Sequence, residues 1–274
     1  MNPSLAFDKL VDLYDETRAA DQQMFDAALD YLRDRFPPHS FPKIVEPGIG
    51  TGRIAIPLAG RGYSLTGIDL SGEMLSVLRR RSEHLQERIG VCRGDASLLP
   101  FRSRTFDLAI AVHLFYFIGA WRRAVDELLR VLRPSGCLVL MHTGWGKEVP
   151  LVNEKYAQLI AARGAPKQLP GVRSTSEVIA YCRELGCRTE EISDRWQWTA
   201  QIRLDDVLRY VRARAYSFTT AVPPEIHESA VVELEAGLRS EFGTLASVIS
   251  VPNQIKFAFV HLPTILKVVS VPFA

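Results

Sequence analysis

Three glycines at alternate positions, Gly48, Gly50 and Gly52, follow a short apolar run in the stretch KIVEPGIGTGR. Glycine adopts backbone conformations that other residues rarely reach, and it lets a bound molecule approach the main chain closely. A carboxylate, Asp69, ends the next apolar run. A glycine-rich turn followed by an acidic strand end is typical of a cofactor site, and the spacing of the glycines indicates which cofactor.

The glycine spacing does not fit a dinucleotide. In the dinucleotide fingerprint G-x-G-x-x-G, the third glycine stands five residues after the first. Counting from Gly48, that position is Arg53. A large side chain there would crowd a pyrophosphate, so an NAD(P)-dependent oxidoreductase is disfavoured.

These residues need a scaffold that brings strand ends together. From residue 43 onward, short apolar runs alternate with helix-like segments, which favours an α/β fold with a parallel sheet covered on both faces. In such a sheet, ligands bind beside the carboxyl ends of the strands. The predicted strands are 43–46, 64–69, 89–95, 106–114, 136–142, 188–202 and 255–262, and the predicted helices among them are 52–62, 71–87, 119–133 and 174–187.

Five blocks of the chain resemble, in order, the class I S-adenosylmethionine-dependent methyltransferases of the small-molecule type, which include quinone- and sterol-methylating enzymes. They are EPGIGTG, the strand end at Asp69, GDASLLPF, FDLAIAVHLFYF and the stretch that ends in RPSGCLVLMH, and they cover about residues 43–142. The resemblance implies a Rossmann-like, seven-stranded, mostly parallel sheet with helices on both faces. It also implies N-terminal helices, a helical insertion before the last strand, and an enzyme that uses S-adenosylmethionine.

The resemblance assigns cofactor contacts to residues at the strand ends. Asp69 would accept hydrogen bonds from both ribose hydroxyls, Asp95 would receive the adenine amino group, and Glu46 would face the positive charge of the ligand. Each carboxylate has a structural alternative as a helix cap or turn former. The full set of predicted cofactor contacts is Arg18, Glu46, Gly48, Gly50, Gly52, Asp69, Leu70, Asp95, Ala96 and His113.

Methyl transfer needs little chemistry from the protein. A sulfonium carries its own leaving group, so in-line alignment of the acceptor supplies much of the acceleration, and a base is required only when the acceptor must lose a proton. The candidates for a base or a substrate contact are His113, His142 and Tyr14. The alternatives are that His113 packs beside the cofactor and that His142 caps the sheet. No cluster of metal ligands is visible in the sequence, so no metal is predicted.

The resemblance also divides the chain into parts. Residues 1–40 would form an N-terminal helical lid, 41–202 the cofactor-binding α/β core, 203–250 a helical insertion that covers the substrate, and 251–274 the last strand and an apolar tail. Aromatic residues around the insertion would form a roof over a small apolar or aromatic acceptor, or would pack the insertion onto the core. They are Trp196, Trp198, Tyr210, Tyr216 and Phe218.

Composition limits the partners. The chain has 33 basic and 31 acidic residues, and the resulting charge of +2 gives no strong field toward nucleic acid or anionic lipid. Four cysteines without metal-binding spacing indicate free thiols in the cytoplasm, and neither a secretory signal nor a membrane span is predicted. A small-molecule acceptor is therefore expected, with an RNA or protein acceptor, or a cofactor-binding regulatory protein without turnover, as the alternatives. The sequence leaves the oligomeric state open.

Overall fold

A computed structural model of the protein describes residues 16–18, 20–144, 146, 148–165 and 169–263. The candidate Tyr14 and the apolar tail from residue 264 lie outside the described residues. Within the N-terminal helical lid predicted over residues 1–40, the structure gives a helix at Gln22–Arg35, and the Asp21 side chain accepts a hydrogen bond from the Met24 amide as its N-cap.

One seven-stranded sheet organises the chain. Its strands are β1 (Lys43–Pro47), β2 (Ser64–Asp69), β3 (Ile89–Arg93), β4 (Phe106–Val112), β5 (Leu132–His142), β6 (Arg188–Arg203) and β7 (Val248–His261). They lie in the order β3-β2-β1-β4-β5-β7-β6, and β7 runs antiparallel to both of its neighbours while the other pairs are parallel. The predicted mostly parallel α/β sheet is confirmed. Its order reverses between β1 and β4, where open sheets leave a ligand crevice.

Helices cover both faces of the sheet. They are α1 (Gln22–Arg35), α2 (Ala55–Gly60), α3 (Gly72–Arg81), α4 (Trp121–Val131), α5 (Pro150–Ala162), α6 (Thr175–Glu184), α7 (Leu204–Arg212), α8 (Ser217–Thr220) and α9 (Pro224–Phe242). Side chains of α1, α2 and α3 share one apolar cluster with Leu108 and Ile110 of β4. Those of α4 and α6 share another with Ala109 and Ala111. Because successive β4 residues face opposite buried layers, the strand reads as a continuous apolar run.

The last two strands extend beyond the rest of the sheet. Residues 256–261 of β7 pair with β5, whereas residues 248–255 pair with β6 alone and form a two-stranded ribbon. The helices α5, α7 and α9 pack with this ribbon through a third apolar cluster. We call α5, α7, α8 and α9 the helical module.

Several elements differ from their predicted limits. β5 begins at Leu132 rather than at residue 136, because Leu132 already pairs with Phe106 of β4 and the register shifts across the RPSG segment before Cys137 pairs with Leu108. β7 begins at Val248 rather than at residue 255, and α5 was not predicted. Among the described residues, no helix combines the length and apolarity that crossing a membrane would require.

Candidate active site

The glycine loop, residues 48–53, follows β1 at the carboxyl edge of the parallel strands. Gly48 and Gly50 have φ angles of 68° and 56°, in the left-handed region that favours glycine. The Gly48 amide donates to the Ile68 carbonyl at 2.7 Å, which ties the loop to β2. A Cβ on Gly48 would lie 2.8 Å from Cδ1 of Leu114, the second residue after β4. The loop therefore presents bare backbone at the point where the strand order reverses.

Asp69 ends β2 beside this loop. Its Oδ2 accepts from the Gly50 amide at 2.9 Å, and its Oδ1 accepts from the Ser71 amide at 2.9 Å. Ser71 in turn caps α3, because its hydroxyl accepts from the Met74 amide at 3.0 Å. A carboxylate has about four acceptor positions, and the hydroxyl groups of a ribose are donors of the kind that it accepts. The backbone thus holds this carboxylate in one orientation.

Glu46 lies in β1, just before the loop, and is only 3% exposed. Its Oε2 is buried and has no hydrogen-bond partner among the residues that the structure describes. Burial raises the pKa of Glu46 to about 8, with Arg53 acting against the rise and Asp69 adding to it. Because a buried polar atom without a partner is costly, this oxygen could accept from a ligand donor or face a cation.

The residues after β2 and β3 complete this side of the edge. Asp95 is exposed, and its Oδ1 accepts from the Ser97 amide at 2.7 Å, as in a turn. Ala96 is buried, whereas Leu70 is 38% exposed. One carboxylate and two apolar side chains therefore lie at the edge on the β3 side of Asp69.

Two histidines stand at the ends of the neighbouring strands β4 and β5. The ring centroids of His113 and His142 are 4.6 Å apart. The Thr143 amide donates to Nε2 of His113 at 3.2 Å, and the Gly144 amide donates to Nδ1 of His142 at 3.0 Å. Burial lowers the pKa of His142 to about 4. Burial, His142 and two arginines hold the pKa of His113 well below its usual value. Both rings are therefore neutral at physiological pH.

Arg53 connects the glycine loop to these histidines. Its Nη2 donates to Thr143 Oγ1 at 3.1 Å, and that hydroxyl lies 3.2 Å from His113 Nε2. A chain of hydrogen bonds thus joins the loop, β5 and β4. Nothing in the local sequence marks Thr143 as a site residue, since its contacts come from segments far away along the chain.

The described part of the N-terminal segment packs against the loop after β5. A Cβ on Gly146 would lie 2.3 Å from the Thr17 carbonyl oxygen. In the same loop, Glu148 Oε2 accepts from Asn153 Nδ2 at 2.9 Å. Burial raises the pKa of Glu148, and Arg18 opposes this rise. Arg18 also contributes to the low pKa of His113. Glu148, which no motif marks in the sequence, therefore joins the charged groups at this edge.

The aromatic residues near the helical module divide between packing and the site edge. Tyr210 and Tyr216 are fully buried within the module, and Trp196 packs edge-on against Phe257 in the sheet core, so packing accounts for these three. A Cβ on Gly144 would lie 3.1 Å from the Trp198 ring, which places this tryptophan over the residues that follow His142.

The described residues do not form a metal centre, as no group of three or more His, Cys, Asp or Glu side chains is arranged to hold an ion. A small cavity of about 10 Å³ lies between β4, β5 and α6, with His113, Tyr116 and Val178 among its lining residues. That volume holds about one water molecule, so the cavity is too small for a methyl acceptor.

Comparison with known proteins indicates the family of the chain. A family described as "Methyltransferase domain" matches residues 45–140. The chain is 30% identical over 185 residues to a demethylmenaquinone methyltransferase of Clavibacter sepedonicus, covering 66% of this chain and 73% of that one. It is 32% identical over 109 residues to a malonyl-[acyl-carrier protein] O-methyltransferase of Enterobacter lignolyticus, covering 40% and 42%. The solved structure of the YcgJ protein of Bacillus subtilis has the same fold, with a TM-score of 0.59, 20% identity and coverage of 86% and 98%.

Proposed function

Because the chain belongs to the class I S-adenosylmethionine-dependent methyltransferases that act on small molecules, we propose that it transfers a methyl group to a small apolar or aromatic acceptor at the carboxyl edge of its sheet. The family resemblance in the five sequence blocks is confirmed, and so is S-adenosylmethionine as the cofactor. The chain is therefore an enzyme, and neither a regulatory protein without turnover nor an RNA or protein acceptor is favoured.

The residues at the edge fit this cofactor. The Oε2 of Glu46 lacks a partner among the described residues, and it suits the ammonium or sulfonium charge of the ligand. At Gly48 the backbone has no Cβ and is open to close approach by the methionyl chain. The observation that carries the proposal is the Asp69 carboxylate, which two backbone amides orient beside the glycine loop.

In this proposal each side chain has a binding role. Asp69 accepts the two ribose hydroxyls, while Asp95, Ala96 and Leu70 border the adenine. Arg18, on the segment that packs against Gly146, meets the methionine carboxylate. Tyr14, which precedes that segment, remains a candidate contact for the acceptor.

When bound, the cofactor supplies an activated methyl group, so the chain needs no nucleophile of its own. The protein orients the acceptor, excludes water and holds the developing charges. The Tyr210 hydroxyl of the helical module donates to Glu16 at 2.8 Å, which supports a substrate cover made by the module and the N-terminal segment together. The acceptor would lie between them and the sheet. Four free thiols suit an enzyme of the cytoplasm.

Binding of S-adenosylhomocysteine, measured by isothermal titration calorimetry, tests the assigned carboxylate. Asp69→Asn should weaken binding by about tenfold to hundredfold, since a charge-assisted hydrogen bond contributes about 1.5–3 kcal/mol. Glu87→Gln, a matched change at an exposed surface carboxylate, should bind like the wild type. Equal affinity of the wild type and Asp69→Asn would remove Asp69 from the site, and no binding by the wild type would remove the cofactor assignment.

The acceptor half of the proposal is tested in the same preparation. Benzoate, phenol and benzylamine share one aromatic ring and offer three different attacking groups. Release of S-adenosylhomocysteine with at least one of them, and its loss in Asp69→Asn, is the expected result. Faster turnover of bulk RNA than of all three would contradict a small-molecule acceptor.

A further inference from the structure

We propose that His113 acts as a fixed hydrogen-bond donor toward an acceptor that bears a carboxylate, and that neither His113 nor His142 acts as a general base. The inference rests on the proposed methyltransferase function and specifies the acceptor class for the same site. It depends on which nitrogen of each ring carries the proton, and the backbone amides determine this.

The tautomer of His113 follows from its contact with Thr143. A backbone N–H is always a donor, so the ring nitrogen that accepts from it carries a lone pair and no proton. The Thr143 amide donates to His113 Nε2, and the proton of the neutral ring is therefore on Nδ1. To act as a base, His113 would have to take a proton at Nε2 and break this hydrogen bond.

His142 is held in the opposite tautomer. Its Nδ1 accepts from the Gly144 amide, so its proton is on Nε2. The backbone of Gln254, on the neighbouring strand β7, also acts on the ring and raises its pKa against the effect of burial. The Nδ1 lone pair of His142 is thus engaged in the turn that follows β5. We assign His142 the role of positioning the adjacent His113 ring, whose centroid lies 4.6 Å away.

His113 has a nitrogen left for a ligand. The contacts of the His113 ring nitrogens with the described residues are those of Nε2 with Thr143, so Nδ1–H has no acceptor among the described residues. The φ of His113 is 50°, an uncommon value for a residue other than glycine, and strain of this kind recurs at functional sites. The next residue, Leu114, packs against the glycine loop, so His113 stands beside the cofactor backbone.

The charges around His113 favour an anion. The groups that act on the ring are His142 on β5, Arg53 from the glycine loop and Arg18 from the N-terminal segment, and all of them disfavour a proton on it. A neutral N–H donor in a positive environment recognises an oxyanion. Arg53 and Arg18 supply the positive charge of this environment, since His142 is neutral, so an anionic acceptor is preferred over a cationic one.

A carboxylate acceptor also removes the need for a base. At neutral pH its oxygen already has a free lone pair, which forms the new O–CH₃ bond. The methyl–sulfur bond breaks with its electron pair left on sulfur, which neutralises the sulfonium. Charge and atoms balance without any proton transfer to a histidine.

Tautomers are tested directly by long-range ¹H–¹⁵N correlation spectra of protein with ¹⁵N-labelled histidine. The two resonances are assigned from the spectra of His113→Asn and His142→Asn. We expect His113 to be neutral at physiological pH with its proton on Nδ1, and His142 to be neutral there with its proton on Nε2. A proton on Nε2 of His113, or its titration near the ordinary histidine pKa, would overturn the proposal. This result does not depend on S-adenosylhomocysteine binding, so it fails separately from the proposed function.

A matched pair of variants tests the donor in catalysis. In Asn the amide nitrogen can replace the Nδ1–H donor, and Asn tolerates a positive φ, whereas the Gln amide reaches the Nε2 position instead. His113→Asn should retain more benzoate turnover than His113→Gln, and the shape of its pH profile should match that of the wild type.

The loss of a general base costs about 10²–10⁴-fold, so a fall of that size in His113→Asn, at unchanged thermal stability, contradicts the donor role. In the presence of S-adenosylhomocysteine, benzoate should shift the His113 resonance and benzamide should not. The absence of a shift with benzoate up to its solubility limit would overturn the carboxylate class.

Discussion

The raised pKa of Glu46 makes cofactor binding depend on pH in a way that can be measured. Because its native pKa is raised to about 8, the carboxyl is largely protonated at neutral pH before a ligand binds. A cation beside the buried oxygen favours the ionised form, so binding and loss of the proton are coupled. Below the raised pKa, affinity should therefore fall by about tenfold for each pH unit.

Calorimetry of S-adenosylmethionine binding in two buffers of different protonation enthalpy measures this coupling. At neutral pH the wild type should release more protons on binding than Glu46→Gln does, by close to one proton per site. The amide is the control, because the amino group of the ligand titrates equally in both proteins. Equal proton release in the two proteins would mean that Glu46 does not face the positive charge of the ligand.

The same pKa shift has a defined sign for folding. The native carboxyl binds its proton more tightly than the unfolded one, whose value is near 4.5. Its contribution to stability is therefore fully present below that value and is lost as the pH rises through about 8. Without ligand, Glu46→Gln should gain stability relative to the wild type at alkaline pH.

At the scale of residues, the sequence predicts what is local. Asp69 and Glu46 stand at the ends of apolar runs, and a parallel sheet brings such ends to one edge, so their proximity follows from the pattern. The hydrogen bond from the Thr143 amide to His113 depends on the register of β4 against β5 and on the backbone after each strand. A sequence pattern does not contain that information, which is why it left the role of each histidine open.

Among the elements, the parallel strands were predicted closely and the segments after residue 143 less so. α5 buries Val152, Tyr156 and Ile160, a narrow stripe at four-residue spacing, and Pro150 begins it. That stripe is present in the sequence, but three apolar positions with polar residues between them are only a weak signal for a helix. The first half of β7 pairs only with β6, and its alternating burial resembles a loop until its partner strand is known.

Substitutions at two glycines of the loop distinguish the cost of backbone strain from the cost of steric contact with α3. Gly50 and Gly52 both have positive φ angles, 56° and 84°. A Cβ on Gly50 would meet only the Gly48 carbonyl oxygen at 3.9 Å, whereas a Cβ on Gly52 would lie 2.2 Å from Cδ1 of the buried Leu78. Gly50→Ala should cost about 1–2 kcal/mol of unfolding free energy from the backbone alone.

Gly52→Ala should cost about 1–3 kcal/mol more, because Leu78 must leave its packed position in α3. Denaturant unfolding of both variants measures the difference, and their matched φ angles make Gly50→Ala the control. If the two variants lose the same stability, the contact between the loop and α3 does not restrain the loop.

For the whole molecule, the question is whether the helical module unfolds independently of the sheet. The module has its own apolar cluster, and ion pairs such as Lys155–Glu241 and Arg163–Glu233 join its helices to one another. The chain leads from β5 into α5 and on to α6, whereas α7, α8 and α9 join the sheet through the two-stranded ribbon, where the Leu204 amide donates to the Ser247 carbonyl at 3.1 Å. A unit with its own apolar cluster and internal ion pairs is expected to open locally.

Leu208→Ala and Leu58→Ala test this independence as a matched pair. Both leucines are fully buried, Leu208 in the module and Leu58 in the layer beneath the sheet, and each truncation should cost about 2–5 kcal/mol where it acts. In hydrogen-exchange mass spectrometry, Leu208→Ala should speed exchange in α5, α7 and α9 while the strands stay protected. Its affinity for S-adenosylhomocysteine should change by less than about twofold. Leu58→Ala should speed exchange in the strands and weaken S-adenosylhomocysteine binding, because the glycine loop packs on the layer that contains Leu58. Faster exchange throughout the chain in both variants would instead show one cooperative unit, in which a substrate cover could not open without loosening the cofactor site.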